Sequence, residues 1–382
     1  MYLENKIKFL PSYNMMNRKH LIKNIVGASA NVFGTSAVSN TAISSQLKKV
    51  EGISNAQSSN LQRGVSFYSY QEEFYNRTMT LEDCITEASD IGAYGIELLP
   101  VEMMRGYPHA TDSWIDEWFY LMDKYNTKPI CYTQFQDIWL YRDHVFTLEE
   151  GVKKLSGEIK FAKELGFKVM RVNNNVDLNV VEKCIPYAEE NDIWLGREVH
   201  APFAFLGDEM NSNLELIEKT RTNHFGMLID TSVFETRPIT VRRDRRIRDG
   251  ILTKDIALYI EQAWLEKVPQ EKVEETVQKM KPKTGDLEWI TEVFTIKPID
   301  PRAFVPYMSK IRHVHAKVYD MTVDYQELTQ DTEKIISALK EGGFDGYICT
   351  EHEGQRYTQD IIETDSCEQV RRNQLMLKRL IG

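Results

Sequence analysis

From Arg63 onward, short apolar runs alternate along the chain with amphipathic stretches. The runs read as strands: GVSFYSY (64–70), GIELL (95–99), PICYTQF (129–135), KVMRVN (168–173), IWLGREV (193–199), FGMLID (225–230), RHVHAKV (312–318) and GYICTE (346–351). Helical patterns fill the intervals. Thr80-Leu-Glu-Asp83 and Thr147-Leu-Glu-Glu150 open two of them with capping-box spacing, and IGAYGIEL, LGFKVMRV and EGGFDGYICT each place Gly between a helix and the next strand. Strand starts 25 to 39 residues apart fit βα units joined by right-handed crossovers. Eight such units predict a (β/α)8 TIM barrel.

One interval departs from this spacing. The 87 residues from Phe225 to Arg312 predict an insertion after strand six, about 236–300, on the side where barrel active-site loops lie. It carries the Arg-rich stretch Val241-Arg-Arg-Asp-Arg-Arg-Ile-Arg248, which reads either as a solvated surface or as an interface for an acidic partner or anionic ligand. Residues 1–62 contain many Ser, Asn and Ala and show no such alternation, so they read as an N-terminal extension to a catalytic barrel of residues 63–382.

Four strands end in residues that bind hard metal ions: Glu198, Asp230, His315 and Glu351. Taken singly, a strand-end acid is more often a cap or ion-pair partner, and a lone His is more often a satisfied core residue. On neighbouring strands five to eight of a barrel, the four would meet at the C-terminal rim, where catalytic groups collect. Three carboxylates and one imidazole suit Mn²⁺ first, with Mg²⁺, Co²⁺ or Zn²⁺ as alternatives. Glu198 and Glu351, from opposite ends of this arc, could also serve as an acid/base pair across a bound sugar. His313 competes with His315, and Glu353 with Glu351, at spacing two.

Composition narrows the classes. A net charge of −10 and a pI near 5.5 argue against nucleic-acid binding, which needs clustered cations. No run approaches the roughly 18 apolar residues of a membrane span. Five scattered cysteines without CxxC spacing read as reduced thiols in a cytoplasmic protein. Asn17–Lys23 and the small residues after it faintly resemble a twin-Arg export signal, but lack the paired arginines.

The strand-end set Glu, Asp, His, Glu resembles the xylose isomerase-like superfamily of sugar isomerases and epimerases over about residues 63–382. RGVSFYSYQEEFY, EVHAPF, IDTSVF, the Arg-rich insertion, HVHAKVYDM and TEHEGQRY together resemble the α subunits of bacterial C-glycoside deglycosidases. That resemblance implies a metal-dependent lyase that pairs with a small β subunit and acts on 3-oxo-glucosides with flavonoid-type aglycones. Proton abstraction at C2 would be followed by β-elimination of the aglycone from C1.

Within that chemistry His200 is the favoured acid/base towards the leaving group, since strand periodicity turns it to the same side as Glu198. His144 and His109 are loop alternatives at the same rim. Arg171 and Lys317 would bind sugar oxygens or form a core salt bridge. Phe203 would stack on the aglycone, as could Tyr68, Tyr70, Phe135, Trp139 and Phe205, although such aromatics are usually packing. A ketose epimerase or isomerase and a non-catalytic sugar-binding barrel remain open. An apurinic endonuclease of the same superfamily would need a His-richer trinuclear cluster than these strand ends supply.

Overall fold

The computed structural model describes residues 60–136, 141–202, 205, 207–362 and 365–382. Eight parallel strands close into a barrel in chain order. They are β1 (Gln62–Ser66), β2 (Gly95–Leu98), β3 (Lys128–Gln134), β4 (Val169–Val172), β5 (Trp194–Val199), β6 (Phe225–Asp230), β7 (Ile311–Val318) and β8 (Tyr347–His352). Seven lie within a residue or so of the expected bounds.

The first strand differs. It starts at Gln62, inside the expected extension, and ends at Ser66, after which Phe67–Tyr70 form a 3₁₀ turn. Aromatic residues favour strands by propensity, yet Ser69 overrides that preference. Its hydroxyl donates to the Thr350 carbonyl at 3.2 Å and accepts from the His352 N–H at 2.9 Å, which pulls the turn onto β8.

The helices begin where capping residues stand. Thr80 and Thr147 close capping boxes with Asp83 and Glu150, starting Leu81–Asp90 and Leu148–Glu164. Their apolar faces bury residues such as Ile85, Leu155 and Ile159 against the outside of the sheet.

The barrel interior changes character along each strand. Near the bottom, Cys131, Leu228 and Cys349 form a small apolar cluster with Ile130. Two residues further on, the period-two alternation of the pleat puts Thr133, Asp230 and Glu351 on the same inner face. Gly95 and Gly196 likewise precede Glu97 and Glu198 by two. Gly226 marks a close approach at the bottom: a Cβ there would lie 2.4 Å from the Trp194 ring and 2.5 Å from the Lys310 carbonyl.

Between β6 and β7, the helices Thr240–Arg248, Lys254–Leu265, Gln270–Lys279 and Thr284–Thr295 share an apolar core of their own that includes Ile260, Val277 and Trp289. The arginines of the first helix are engaged within the chain. Arg242 and Arg246 pair with Glu292, Arg243 with Glu261, and Arg248 with Asp360 beyond β8. The Arg-rich stretch is therefore a staple that fastens the insertion to itself and to the β8 loop, and not an open cationic patch.

Candidate metal centre

The ends of β5 to β8 bring Glu198, Asp230, His315 and Glu351 together in the barrel mouth. Each offers a ligand atom, and these atoms lie within 4.8 Å of one another. All four side chains are buried.

Each carboxylate is held on one side. Arg171 Nη2 donates to Glu198 Oε2 at 2.5 Å, Lys317 Nζ donates to Glu351 Oε2 at 2.5 Å, and the Ser232 N–H donates to Asp230 Oδ1 at 2.8 Å. Glu198 Oε1, Asp230 Oδ2 and His315 Nδ1 are buried and have only one another, Glu351 Oε2 and the Lys317 ammonium, 2.9 Å from Asp230 Oδ2, for polar company, not a well-formed hydrogen-bond partner. Buried polar atoms normally have one. Ligand-type atoms converging within 4.8 Å of one another fit a cation with hard donors.

His315 is oriented by a residue that sequence reasoning missed. Glu97, buried at the centre of β2, lies 2.9 Å from His315 Nε2 and 2.7 Å from His313 Nε2. Ser66 and Thr133 also donate to it. With Nε2 engaged by Glu97, the imidazole directs Nδ1 towards Glu198 Oε1 at 3.2 Å and Glu351 Oε2 at 3.3 Å. This is the carboxylate–histidine pairing that supports metal-binding imidazoles. The available signal was an acid in the middle of an otherwise apolar strand, GIELL.

Charge points the same way. With both histidines neutral, four buried carboxylates (Glu97, Glu198, Asp230, Glu351) face two buried cations (Arg171, Lys317), and a divalent ion would make up the difference. Without one, the imbalance falls on the ionisable groups. Burial opposes protonation of His315, but Glu351 and Glu97 outweigh it and hold its pKa well above the usual value. Burial likewise opposes ionisation of Glu351 and Glu198, but His315 and Lys317 keep the first ionised, and Arg171 and His315 the second. For Asp230, burial wins over Lys317, and its pKa is raised.

The remaining predicted residues fall into two groups. Arg171 and Lys317 belong to the cluster, but they are spent on its carboxylates: Lys317 Nζ also lies 2.9 Å from Asp230 Oδ2 and from Glu353 Oε2. His200 is half-buried at the rim, with Nε2 2.9 Å from Asn174 Nδ2 and 3.9 Å from Glu198 Oε2. His144 is not brought to the cluster. It is exposed, paired with Asp143 and Glu150 and stacked on Tyr141, because Glu150 anchors it to the start of its helix. His109 is exposed in a turn closed by its own N–H to the Gly106 carbonyl.

The expected competitors also have settled roles. His313 lies a layer below His315, and Glu353 bridges Lys317 and Arg356. Among the aromatics, Tyr70 and Phe205 are buried packing, Tyr68 accepts from Arg356 at the rim, and Phe135 is 43% exposed at the end of β3. Phe203 and Trp139 lie outside the described residues.

A family model described as "Xylose isomerase-like TIM barrel" matches residues 85–237. The chain is a TIM barrel, and its residues 85–237 resemble the xylose isomerase-like family. A solved sugar phosphate isomerase/epimerase from Parabacteroides distasonis superposes on this barrel with a TM-score of 0.51 at 11% identity, covering 87% of this chain and 98% of that one. Sequence similarity extends over most of its length. A C-glycoside deglycosidase alpha subunit of Arthrobacter globiformis is 25% identical over 87% of this chain and 94% of its own length. A 3'-dehydrocarminate deglycosidase alpha subunit from a Microbacterium species is 24% identical over 84% of this chain and 95% of its own. Among the described residues, no helix is long and apolar enough to cross a membrane.

Proposed function

We propose that this chain is the metal-dependent catalytic α subunit of a C-glycoside deglycosidase, cleaving the bond between C1 and the aglycone of 3-oxo-glucosides. The observation that carries the reading is the convergence of Glu198, Asp230, His315 and Glu351, all buried, with ligand-type atoms within 4.8 Å of one another. The four would hold Mn²⁺ or a similar ion, which when bound would supply Lewis-acid polarisation of the 3-oxo group and so acidify the C2–H bond.

The chain's own residues would do the rest. Glu198 and Glu351 stay ionised at neutral pH, so either can accept the C2 proton. Arg171 and Lys317 each hold one oxygen of these carboxylates in place. The C2–H electron pair becomes the C1=C2 double bond as the C1–aglycone bond breaks, and the aglycone carbon takes up one proton. His200, half-buried beside Glu198, is placed to deliver that proton or to ionise a neighbouring phenol. The products are the free aglycone and an unsaturated 3-oxo sugar.

The Arthrobacter and Microbacterium relatives are both named alpha subunits, which supports a second, small chain as partner. Five free cysteines suit a reducing, cytoplasmic setting. The test is incubation of this chain, with and without the candidate small subunit, with a 3-oxo C-glucoside and Mn²⁺. Release of free aglycone is expected. Interconversion of ketoses without release would instead favour an epimerase, in which the same carboxylate pair reprotonates the opposite face, and tight binding without turnover would favour a non-catalytic subunit.

A further inference from the structure

Where the apolar layer of the barrel gives way to the charged one, a second group of metal-type donors meets. Glu97 on β2, Cys131 on β3 and His313 on β7 are all buried, and one donor atom of each lies within 4.8 Å of the other two. The strand arrangement accounts for the meeting. Glu97 and Cys131 are direct partners in the β2–β3 ladder, and His313 reaches across the lumen from β7, a strand not adjacent to either, to place Nε2 2.7 Å from Glu97 Oε2.

The chemistry of this trio differs from that of the set above it. Glu198, Asp230, His315 and Glu351 are mostly hard oxygen donors, whereas a thiol, an imidazole and a carboxylate together form a donor set of the kind that holds Zn²⁺ or Co²⁺. The Glu97–His313 contact explains those two side chains by itself, but it makes no use of the sulfur. Burial and the neighbouring Glu97 carboxylate hold the Cys131 thiol well above its usual pKa. The sulfur stays protonated until a cation bonds to it.

We infer that Glu97, Cys131 and His313 form a second metal site, one layer beneath the first and selective for a thiophilic divalent cation such as Zn²⁺ or Co²⁺. On binding, a metal–sulfur bond forms, the S–H bond breaks and the proton leaves to solvent. Mn²⁺, which prefers oxygen donors, stays with the four residues above. The two sites share Glu97, whose Oε2 also lies 2.9 Å from His315 Nε2. A cation in the lower site competes with His315 for that carboxylate and loosens the upper site, so the lower one is inhibitory. The assignment does not depend on the deglycosidase reading.

The test uses the full chain loaded with Mn²⁺ and titrated to equilibrium with Co²⁺. Thiolate-to-cobalt charge transfer gives an absorption band that oxygen and imidazole ligands alone do not produce. The parent should gain this band. Cys131→Ser should lose it, His313→Gln should need about tenfold more Co²⁺ to reach it, and Cys349→Ser, which alters the sulfur packed beside Cys131, should keep it. Mn²⁺ release, followed by electron paramagnetic resonance, reads the coupling: half-release should need about tenfold more Co²⁺ in Cys131→Ser, where only direct exchange remains. Thermal melts of each variant establish that it is folded. A parent without the band, a band that survives in folded Cys131→Ser, or one reached at the parent's Co²⁺ concentration in His313→Gln overturns the site. Half-release at the same Co²⁺ concentration in the parent and Cys131→Ser overturns its inhibitory role. A parent that gains the band but binds no Mn²⁺ sinks the upper centre and leaves the lower site standing.

Discussion

The same strands carry two different interiors. At the bottom of the barrel Cys131, Leu228 and Cys349 pack closely, with Gly226 leaving room for Trp194. Two residues further along β6 and β8, Asp230 and Glu351 bury carboxylates that burial alone would neutralise. One end gains stability from apolar contact, while the other holds charge that the fold satisfies only in part. The difference separates stability from chemistry within one strand, so substitutions at the two ends should fail in different ways.

The largest effect is expected at the charged end. Asp230→Asn should abolish tight metal binding and lower turnover by at least about a thousand-fold, or ~4 kcal/mol of transition-state stabilisation. The metal-free protein should melt no lower than the parent, because the raised pKa of Asp230 marks a carboxylate whose ionisation is disfavoured by the fold. Calorimetric titration with Mn²⁺ and thermal melts with and without metal check both halves. A large loss of metal-free stability would erase the contrast between the two ends.

Much of that contrast was readable in advance. The four strand-end residues stood out because each closes an apolar run, and counting strands put them side by side. Glu97 did not stand out, because it sits mid-strand and its partners His313 and His315 are more than 200 residues away. The fate of the arginines in Thr240–Arg248 was hidden for the same reason: Glu292 and Asp360 reach them only through tertiary packing. The turn at Phe67–Tyr70 reads as strand in the sequence because the hydroxyl of Ser69, which outweighs the strand propensity of its aromatic neighbours, acts only through β8.

At the apolar end, Leu228→Ala should cost about 2–5 kcal/mol of stability, since it empties a buried site. Metal affinity of the folded fraction should stay near that of the parent, and denaturant unfolding together with metal titration would show it. A collapse of affinity at full stability would mean that the two interiors are not separable.

Glu97→Gln sharpens the boundary between them. It leaves all four proposed ligands in place but weakens the orientation of His315, so metal affinity should fall by about 10–100-fold. An unchanged affinity would reduce Glu97 to a packing residue.

The smallest effect is expected far from both. Arg248→Ala removes an exposed pair with Asp360 and should cost less than about 1 kcal/mol. A thermal melt suffices, and a larger loss would give the staple of the insertion a structural weight that its exposure does not suggest.

The most direct measurement is an anomalous-difference map from crystals grown with Mn²⁺. It should show one strong peak per chain, bounded by Glu198, Asp230, His315 and Glu351, and Asp230→Asn should remove it. A well-ordered site with no peak between those four side chains, or a peak bound elsewhere, would contradict the assignment of this cluster as the metal centre.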